Sequence, residues 1–237
     1  MNYEQARFNM IEQQIRPWEV LDNQVLSLLA LVRREDFVPL AHRALAFVDM
    51  EIPLDASPAA QREPGQCMLA PKVEARILQD LAVQKHEKVL EIGTGSGYMA
   101  ALLAHRGQQV VTLEINAELA ALARKNLQRS GAYNVEVIHR DGAGNLGPVK
   151  GGRGAEDDLL NGPFDVIVLS GSVAAVPASL MSLLKIGGRL SAIVGLQPIM
   201  RATLVTRVGD QAWRTTQAWD TVAPRLLNFP EPSSFTF

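Results

Sequence analysis

The apolar positions between residues 72 and 138 alternate between two spacings. Short apolar runs, typical of buried strands, are separated by longer segments in which apolar residues recur every three or four positions, as on one face of a helix. This pattern predicts a largely parallel sheet that is covered on both faces. The predicted order is helix 72–83, strand 87–92, helix 97–106, strand 109–113, helix 116–130 and strand 134–138.

The alternation resumes after a glycine-rich, charged insert, residues 142–163, which we predict to be a loop. Further on, residues 202–208 and 212–219 flank the turn-like pair Gly209-Asp210 and predict an antiparallel hairpin. Between the insert and the hairpin we predict strand 164–169, helix 177–184 and strand 189–194. The predicted fold class is therefore α/β, with a Rossmann-like, doubly wound, mostly parallel seven-stranded sheet that ends in a C-terminal antiparallel hairpin.

The N-terminal part has a different pattern. Apolar residues at helical spacing predict helices over 2–15 and 22–32, the second with Asp22 as its N-cap. Four prolines make residues 34–70 irregular, and Asp55–Gly65 is predicted to be an exposed loop. We divide the chain into an N-terminal helical extension with its loop, residues 1–70, and a sheet domain, residues 71–237.

Composition narrows the class of protein. The 237 residues carry a formal net charge of −2, and the basic residues are scattered among acids, which disfavours nucleic acid as a partner. The single cysteine, Cys67, excludes an internal disulfide, and His42, His86, His105 and His139 lack metal-ligand spacing. We expect no metal site.

The N-terminus carries charge where a secretory signal needs an apolar stretch. Apolar runs of about 18 residues, as needed to span a membrane, do not occur. These features predict a cytoplasmic protein without a membrane partner.

Three alternating glycines, Gly93, Gly95 and Gly97, follow the apolar strand that ends in Glu91-Ile92. A glycine turn between a strand and a helix lets a nucleoside cofactor approach the backbone and the free N–H groups of the helix. A dinucleotide site would need another glycine at the position of Tyr98. Glu91 would oppose a pyrophosphate but can receive a cationic amino-acid group, so the pattern favours S-adenosylmethionine.

Two later strands also end in acids. Glu114 follows the second strand about 20 residues after the glycines, where ribose hydroxyls lie in such folds. Asp141-Gly142 follows the third strand, where a carboxylate can accept a hydrogen bond from an adenine amino group. Each acid could instead cap the helix or turn that follows it. The three acids at successive strand ends together strengthen the prediction of S-adenosylmethionine.

Residues 89–195 resemble the Rossmann-like S-adenosylmethionine-dependent methyltransferases, and more narrowly the protein-L-isoaspartate O-methyltransferases. Beyond the glycine motif, the resemblance rests on Asp141-Gly142, Phe164–Val168, Leu184–Leu190 and, upstream, Arg34–Pro39 and Gly65–Pro71. It implies methylation of a carboxylate in damaged proteins, with a protein or peptide as acceptor. The implied cofactor site is Gln66, Glu91, Gly93, Thr94, Gly95, Ser96, Gly97, Glu114, Ile115, Asp141 and Gly142.

The loop that contacts the acceptor in that family typically reads Gly-Gln-Thr-Ile-Ser. Here Cys67 takes the place of the threonine, Met68 that of the isoleucine and Leu69 that of the serine, and a position that often carries histidine is Glu74. Cys67, Met68 and Leu69 are therefore the catalytic-site candidates, with Cys67 as a neutral loop thiol. Glu74, if it faced the site, would repel an anionic acceptor.

Three hypotheses follow. The first is isoaspartyl-protein repair by carboxyl methylation. The second is a methyltransferase of the same fold with another acceptor, such as a small molecule, which the changed loop favours. The third is a non-catalytic module that binds S-adenosylmethionine and contacts a partner through its N-terminal helices or its tail, Pro224–Phe237. In each case we expect a monomer or a homodimer.

Overall fold

The computed structural model describes residues 2–55, 65–144, 146 and 155–231. In chain order the strands are β1 (Ile52–Pro53), β2 (Cys67–Met68), β3 (Lys88–Ile92), β4 (Gln109–Glu114), β5 (Val135–His139), β6 (Phe164–Val173), β7 (Leu184–Leu196), β8 (Ile199–Gly209) and β9 (Ala212–Thr221). The α-helices are α1 (Tyr3–Met10), α2 (Asn23–Leu31), α3 (Pro71–Leu81), α4 (Tyr98–Arg106), α5 (Ala117–Ser130), α6 (Ala155–Leu160) and α7 (Ala178–Ser182).

Seven strands form one sheet in the order β5-β4-β3-β6-β7-β8-β9. The five strands from β5 to β7 are parallel, and β8 and β9 add antiparallel neighbours. The strand order reverses at β3, because the chain builds outward to β5 and then returns to place β6 on the other side of β3. The fold class and the C-terminal hairpin are confirmed, and the reversal marks the sheet edge where such folds bind ligands.

The sheet separates two hydrophobic cores. On one face of the sheet, the side chains of Val89, Val110 and Val166 pack against α3, α4 and α5. Their neighbours Leu90 and Val111 point to the opposite face, where α7 packs. Because both faces are covered, the central strands are apolar throughout, as the sequence pattern predicted.

The N-terminal extension packs onto the first of these cores, to which it contributes Met10, Ile15 and Leu29. The first predicted helix continues past α1 as a π-helical segment over Ile11–Ile15. The Asp22 carboxylate accepts from the Gln24 backbone N–H at 2.7 Å, so its predicted N-cap role is confirmed. The division at residue 70 remains a prediction.

Three elements differ from the sequence-based prediction. The insert 142–163 is not a loop throughout, because α6 lies within it. The predicted helix 177–184 is shorter, since β7 begins already at Leu184 and the ladder with β6 skips from Leu184 to Arg189. The two short strands β1 and β2 pair antiparallel and were not predicted. Of the predicted loop 55–65, residues 56–64 lie outside the described residues.

Candidate active site

A cavity of about 270 Å³ opens at the carboxyl edge of β3, β4 and β5. We call it the edge cavity. It is lined by Leu54, Gly65, Gln66, Cys67, Ile92, Gly93, Gly95, Leu113, Glu114, Ile115, Asn116, Leu119, Arg140, Asp141, Gly142, Ser170, Arg225, Leu226, Leu227 and Phe229. Eight of the predicted site residues are among them, from both the glycine turn and the loop before α3.

The glycine turn has the backbone conformation that its sequence predicts. Gly93 has φ 95°, and a Cβ there would lie 2.9 Å from the Leu226 side chain. Gly97 has φ 84° and begins α4, and a Cβ there would lie 3.1 Å from Leu127. Glycine is therefore required at both positions. Because Gly93 has no side chain, its backbone forms part of the wall of the edge cavity.

Glu114 joins the end of β4 to the glycine turn. Its carboxylate accepts from the Gly95 N–H at 2.8 Å and from the Asn116 N–H at 3.0 Å, one bond on each oxygen. A carboxylate oxygen can accept a second bond, so these contacts orient Glu114 without exhausting its acceptor capacity. The carboxylate therefore both stabilises the turn and lines the edge cavity.

Asp141 lies at the third strand end. One oxygen accepts from the Ala143 N–H at 2.9 Å, and the other accepts from the Asn228 side-chain amide at 2.7 Å. The next residue is glycine because a Cβ at Gly142 would overlap the Ile92 side chain. Asp141 thus connects the sheet edge to the C-terminal segment, a contact that no sequence pattern signalled.

Glu91 lies behind the edge cavity rather than in its wall. It is completely buried, and its carboxyl accepts from the Thr112 hydroxyl and from the Ser170 hydroxyl, both at 2.7 Å. Burial raises the pKa of Glu91 to about 8, against the lowering effect of these two hydrogen bonds. The carboxyl is therefore mainly protonated at neutral pH until a cation comes close to it.

An inner cavity of about 20 Å³ adjoins the edge cavity and shares Cys67, Gly93, Gly95 and Ser170 with it. Its other lining residues are Met68, Leu69, Glu74, Glu91, Thr94, Ser96, Tyr98 and Met99. Five predicted site residues line only this inner cavity, and Gly97 lines neither cavity; the five are Met68, Leu69, Glu91, Thr94 and Ser96.

Thr94 is held against β4, because its hydroxyl is hydrogen-bonded to the Thr112 hydroxyl at 2.6 Å.

The loop before α3, residues 65–70, lies beside the glycine turn and contributes to both cavities. Gln66 and Cys67 line the edge cavity, whereas the Leu69 side chain is buried. Burial, and after it the charge of Glu51, raises the pKa of the Cys67 thiol to about 12. Cys67 is therefore a neutral thiol at physiological pH, as expected. The Cys67 N–H already donates to the Gly65 carbonyl at 2.9 Å.

Glu74 does not act as a free negative charge in the site. It is buried and forms an ion pair with Arg34, whose guanidinium also donates to the Leu69 carbonyl at 2.7 Å. Arg34 lies over the Tyr98 ring, 5.1 Å from its centroid. Burial raises the pKa of Glu74 to about 7, and Arg34 opposes that rise. The expected repulsion of an anionic acceptor by Glu74 is therefore offset by the arginine.

The C-terminal segment completes the edge cavity. The Ser172 N–H donates to the Pro224 carbonyl at 2.7 Å, and the Leu226 N–H donates to the Ser172 carbonyl at 2.9 Å. These bonds add residues 224–226 to the end of β6 and place Leu226 against Gly93. The described part of the tail thus packs on its own domain.

Among residues 2–55, 65–144, 146 and 155–231, no helix is long and apolar enough to cross a membrane. In the same ranges, no three or more His, Cys, Asp or Glu side chains lie together as a potential metal site.

The fold and site define a class. An open parallel sheet, a glycine turn at its reversal point and acids at three strand ends are the features of Rossmann-like S-adenosylmethionine-dependent methyltransferases. The family model described as Protein-L-isoaspartate(D-aspartate) O-methyltransferase (PCMT) matches residues 5–220. The chain belongs to this family. The predicted family, enzyme class and cofactor are thereby confirmed.

Individual relatives agree. A protein-L-isoaspartate O-methyltransferase of Koribacter versatilis is 37% identical over 201 residues, which cover 85% of this chain and 81% of the relative. A protein-L-isoaspartate O-methyltransferase 2 of Marinobacter nauticus is 36% identical over 86% of this chain and 84% of its own length.

The fold also matches a solved structure. A Plasmodium falciparum protein described as a protein-L-isoaspartate O-methyltransferase, in complex with S-adenosyl-L-homocysteine, superposes with a TM-score of 0.72. The match covers 95% of this chain and 98% of that one at 18% identity. It supports the fold.

Proposed function

We propose that this protein transfers the methyl group of S-adenosylmethionine to the carboxylate of an isoaspartyl residue in a protein or peptide. The observation that carries the proposal is that one cavity joins two sets of residues. Gly93, Glu114 and Asp141 supply the features of a donor site, and Gln66 and Cys67 belong to the loop that contacts the acceptor in this family.

Each donor residue has a role that its geometry supports. Glu114, held by two backbone N–H groups, would accept bonds from the ribose hydroxyls. Asp141 would accept a bond from the adenine amino group, and Gly93 would let the cofactor approach the backbone. Glu91 lies one layer behind the wall, bonded to Ser170, and in its ionised form would balance the cationic amino-acid end of the cofactor.

The reaction needs positioning rather than a base. A carboxylate oxygen attacks the methyl carbon while the carbon–sulfur bond breaks and its electron pair goes to sulfur. An ester and a neutral thioether result, and no proton moves. Rate is gained by holding the two reacting atoms about 3 Å apart and in line.

The acceptor carboxylate needs donors that the loop side chains no longer provide. Since Cys67 N–H is bonded to Gly65, the backbone N–H groups of Gln66 and Leu69 are the candidates for this role. Helix α3 begins directly after the loop, at Pro71, and the N-terminal end of a helix favours an anion. Arg34, paired with Glu74, holds the Leu69 carbonyl and so fixes the loop backbone.

A methyl-transfer assay tests the proposal. The purified protein is given labelled S-adenosylmethionine and a matched pair of peptides that differ only in an isoaspartyl or a normal aspartyl linkage. We expect base-labile methyl ester on the isoaspartyl peptide alone. Binding of S-adenosylhomocysteine in calorimetry without transfer to either peptide would contradict the proposed acceptor while leaving the donor site in place.

Three statements about the protein remain predictions: that it is a monomer or a homodimer, that it is cytoplasmic, and that nucleic acid is not a partner.

A further inference from the structure

A second cavity, of about 300 Å³, lies between the N-terminal extension, the first turns of α3 and the end of β9. Its walls include two indole rings, Trp18 and Trp219, and the stems of Lys72 and Arg76. We call it the tryptophan cavity. Its volume is at the low end of the range for ligand pockets, about 300–1,000 Å³.

The tryptophan cavity opens at the same edge of the sheet as the edge cavity. Two successive antiparallel pairings turn β9 back to the direction of β7, so β9 ends at the carboxyl edge. Val222, which follows β9, lines the tryptophan cavity, and two residues later the chain reaches the edge cavity at Pro224–Leu226.

Only a thin wall separates the two cavities. Glu51 lines the tryptophan cavity, Cys67 lines the edge cavity, and the Cys67 thiol lies 3.8 Å from the Glu51 carboxylate. Ala70, at the end of the same loop, also lines the tryptophan cavity. A polypeptide whose carboxylate reaches the loop from the edge cavity therefore has this second cavity directly beside it.

The two rings are held in place before anything binds. Lys72 Nζ lies 3.9 Å from the centroid of the Trp18 ring and 2.7 Å from the Asp49 carboxylate. Arg76 donates to the Trp18 carbonyl at 2.9 Å and to the Glu19 carboxylate at 3.0 Å, and its guanidinium lies 5.4 Å from the Trp219 ring.

Trp219 is also fixed at its polar end, because its Nε1–H donates to the Asp80 carboxylate at 2.8 Å. Lys72 and Arg76 are thus paired with acids, and Asp220 in the lining is paired with Arg201 at 3.0 Å. Apart from Glu51, the cavity therefore offers a ligand mainly indole and aliphatic surface. Trp18 is nevertheless 45% exposed, although Lys72 lies over its ring and Arg76 holds its backbone carbonyl. Such rigid aromatic surface binds apolar groups at little cost in conformational entropy.

We propose that the tryptophan cavity receives an apolar side chain of the acceptor polypeptide, from a residue close in sequence to the methylated one. The inference rests on the proposed function. A cavity of this kind makes the enzyme prefer isoaspartyl residues that have an apolar residue nearby in the sequence. Occupation of the cavity lowers KM for such peptides and leaves the methyl-transfer step unchanged, because no residue of the cavity touches the reacting atoms.

Two isoaspartyl peptides test this, one flanked only by glycine and the other by phenylalanine or leucine. Wild-type protein should have a KM for the second peptide that is lower by about tenfold, in line with a buried aromatic contact. Trp18→Ala should abolish the difference at unchanged kcat. The control is Tyr133→Ala, which removes an aromatic ring that is 82% exposed and outside the cavity.

A second variant guards against a folding defect in the first. Val222→Lys places a charge at the half-exposed rim of the tryptophan cavity and should raise KM for the apolar-flanked peptide alone. Equal KM values for both peptides in wild-type protein, or equal effects of Trp18→Ala on both, would overturn the inference while the proposed function stands.

If wild-type protein methylates neither peptide, the proposed function fails first. Calorimetry of both peptides with the protein saturated in S-adenosylhomocysteine then tests the cavity by itself. Tighter binding of the apolar-flanked peptide, lost in Trp18→Ala, supports the inference, and equal or absent binding of both peptides overturns it.

Discussion

Arg34 and Glu74, forty residues apart in sequence, form an ion pair that is buried under the loop before α3. The same guanidinium donates to the carbonyl of Leu69, the residue at the family's serine position. The pair therefore fixes the backbone of the loop that we propose holds the acceptor carboxylate.

Glu74→Ala should destabilise the fold strongly, because it leaves the Arg34 charge buried without its partner. Removing one member of a buried pair costs about 3–5 kcal/mol, whereas replacing both members by apolar residues of similar size is often close to neutral. We expect Arg34→Met/Glu74→Leu to unfold in urea near the wild-type midpoint, with Glu74→Ala well below it. Similar midpoints for the single and double variants would show that the pair is not coupled in this way.

The same double variant separates stability from catalysis. It keeps a filled core but loses the hydrogen bond from Arg34 to the Leu69 carbonyl. We expect kcat/KM for the isoaspartyl peptide to fall by at least about tenfold, and S-adenosylhomocysteine affinity to stay within about twofold. Unchanged kcat/KM in the folded double variant would contradict a positioning role for Arg34.

Leu69→Ser should restore a hydroxyl donor beside the acceptor. A single oxyanion donor is worth about 100-fold in rate in other enzymes, so a clear increase in kcat on the isoaspartyl peptide is expected. The substitution also removes a buried apolar side chain, which costs about 2–5 kcal/mol of stability. Leu69→Ala is the matched control, since it makes the same space without the hydroxyl. If both variants gain equally, space rather than the donor explains the gain.

Glu114→Ala should weaken cofactor binding severely. It removes the acceptor that holds the Gly95 N–H and, under the proposed function, the acceptor of the ribose hydroxyls. We expect a loss of at least about 100-fold in S-adenosylhomocysteine affinity by calorimetry. The exposed Glu118, in the first turn of α5, provides the control, and Glu118→Ala should bind normally. Equal affinities of the two variants would remove Glu114 from the donor site.

Glu91 makes stability depend on pH. Burial raises its pKa in the folded protein to about 8, whereas a glutamate in the unfolded chain titrates near 4.3, so the unfolded chain loses the proton first. The free energy of unfolding should therefore fall as pH rises from about 5 to 8, by up to ~1.4 kcal/mol per pH unit, and then level off.

In Glu91→Gln the side chain at position 91 cannot ionise. The free energy of unfolding of this variant, relative to that of wild-type protein, should therefore increase steadily as pH rises from about 5 to 8. Urea unfolding at pH 5, 6, 7 and 8 measures the difference, with Glu118→Gln as the exposed control. Parallel stability curves for Glu91→Gln and wild-type protein would contradict the raised pKa.

The parts of the molecule that sequence could predict are those set by local pattern. The alternation of strands and helices, the Asp22 cap and the hairpin around Gly209 all follow from residues within one turn or strand of each other. Gly93 and Glu114 were recognisable because strand ends in a parallel sheet meet at one edge.

The parts that sequence missed depend on distant contacts. Arg34 meets Glu74 across forty residues, and Asn228 meets Asp141 across 87. The two-residue strands β1 and β2 are too short to show a period. The predicted strand 189–194 begins too late, because β7 already pairs with β6 at Leu184 and the ladder resumes at Arg189 after four residues that bulge out of it.

The contact of residues 224–226 with Ser172 and Gly93 has a consequence for synthesis of the chain. Strands β3 to β6, the glycine turn and Glu114 are all synthesised well before Pro224, whereas the part of the cavity wall formed by Leu226 is not. A nascent chain that stops short of this segment would present the cofactor with an open crevice. The edge cavity is therefore complete only in chains that extend through Phe229, and cofactor binding would stabilise such chains over ones truncated before this segment.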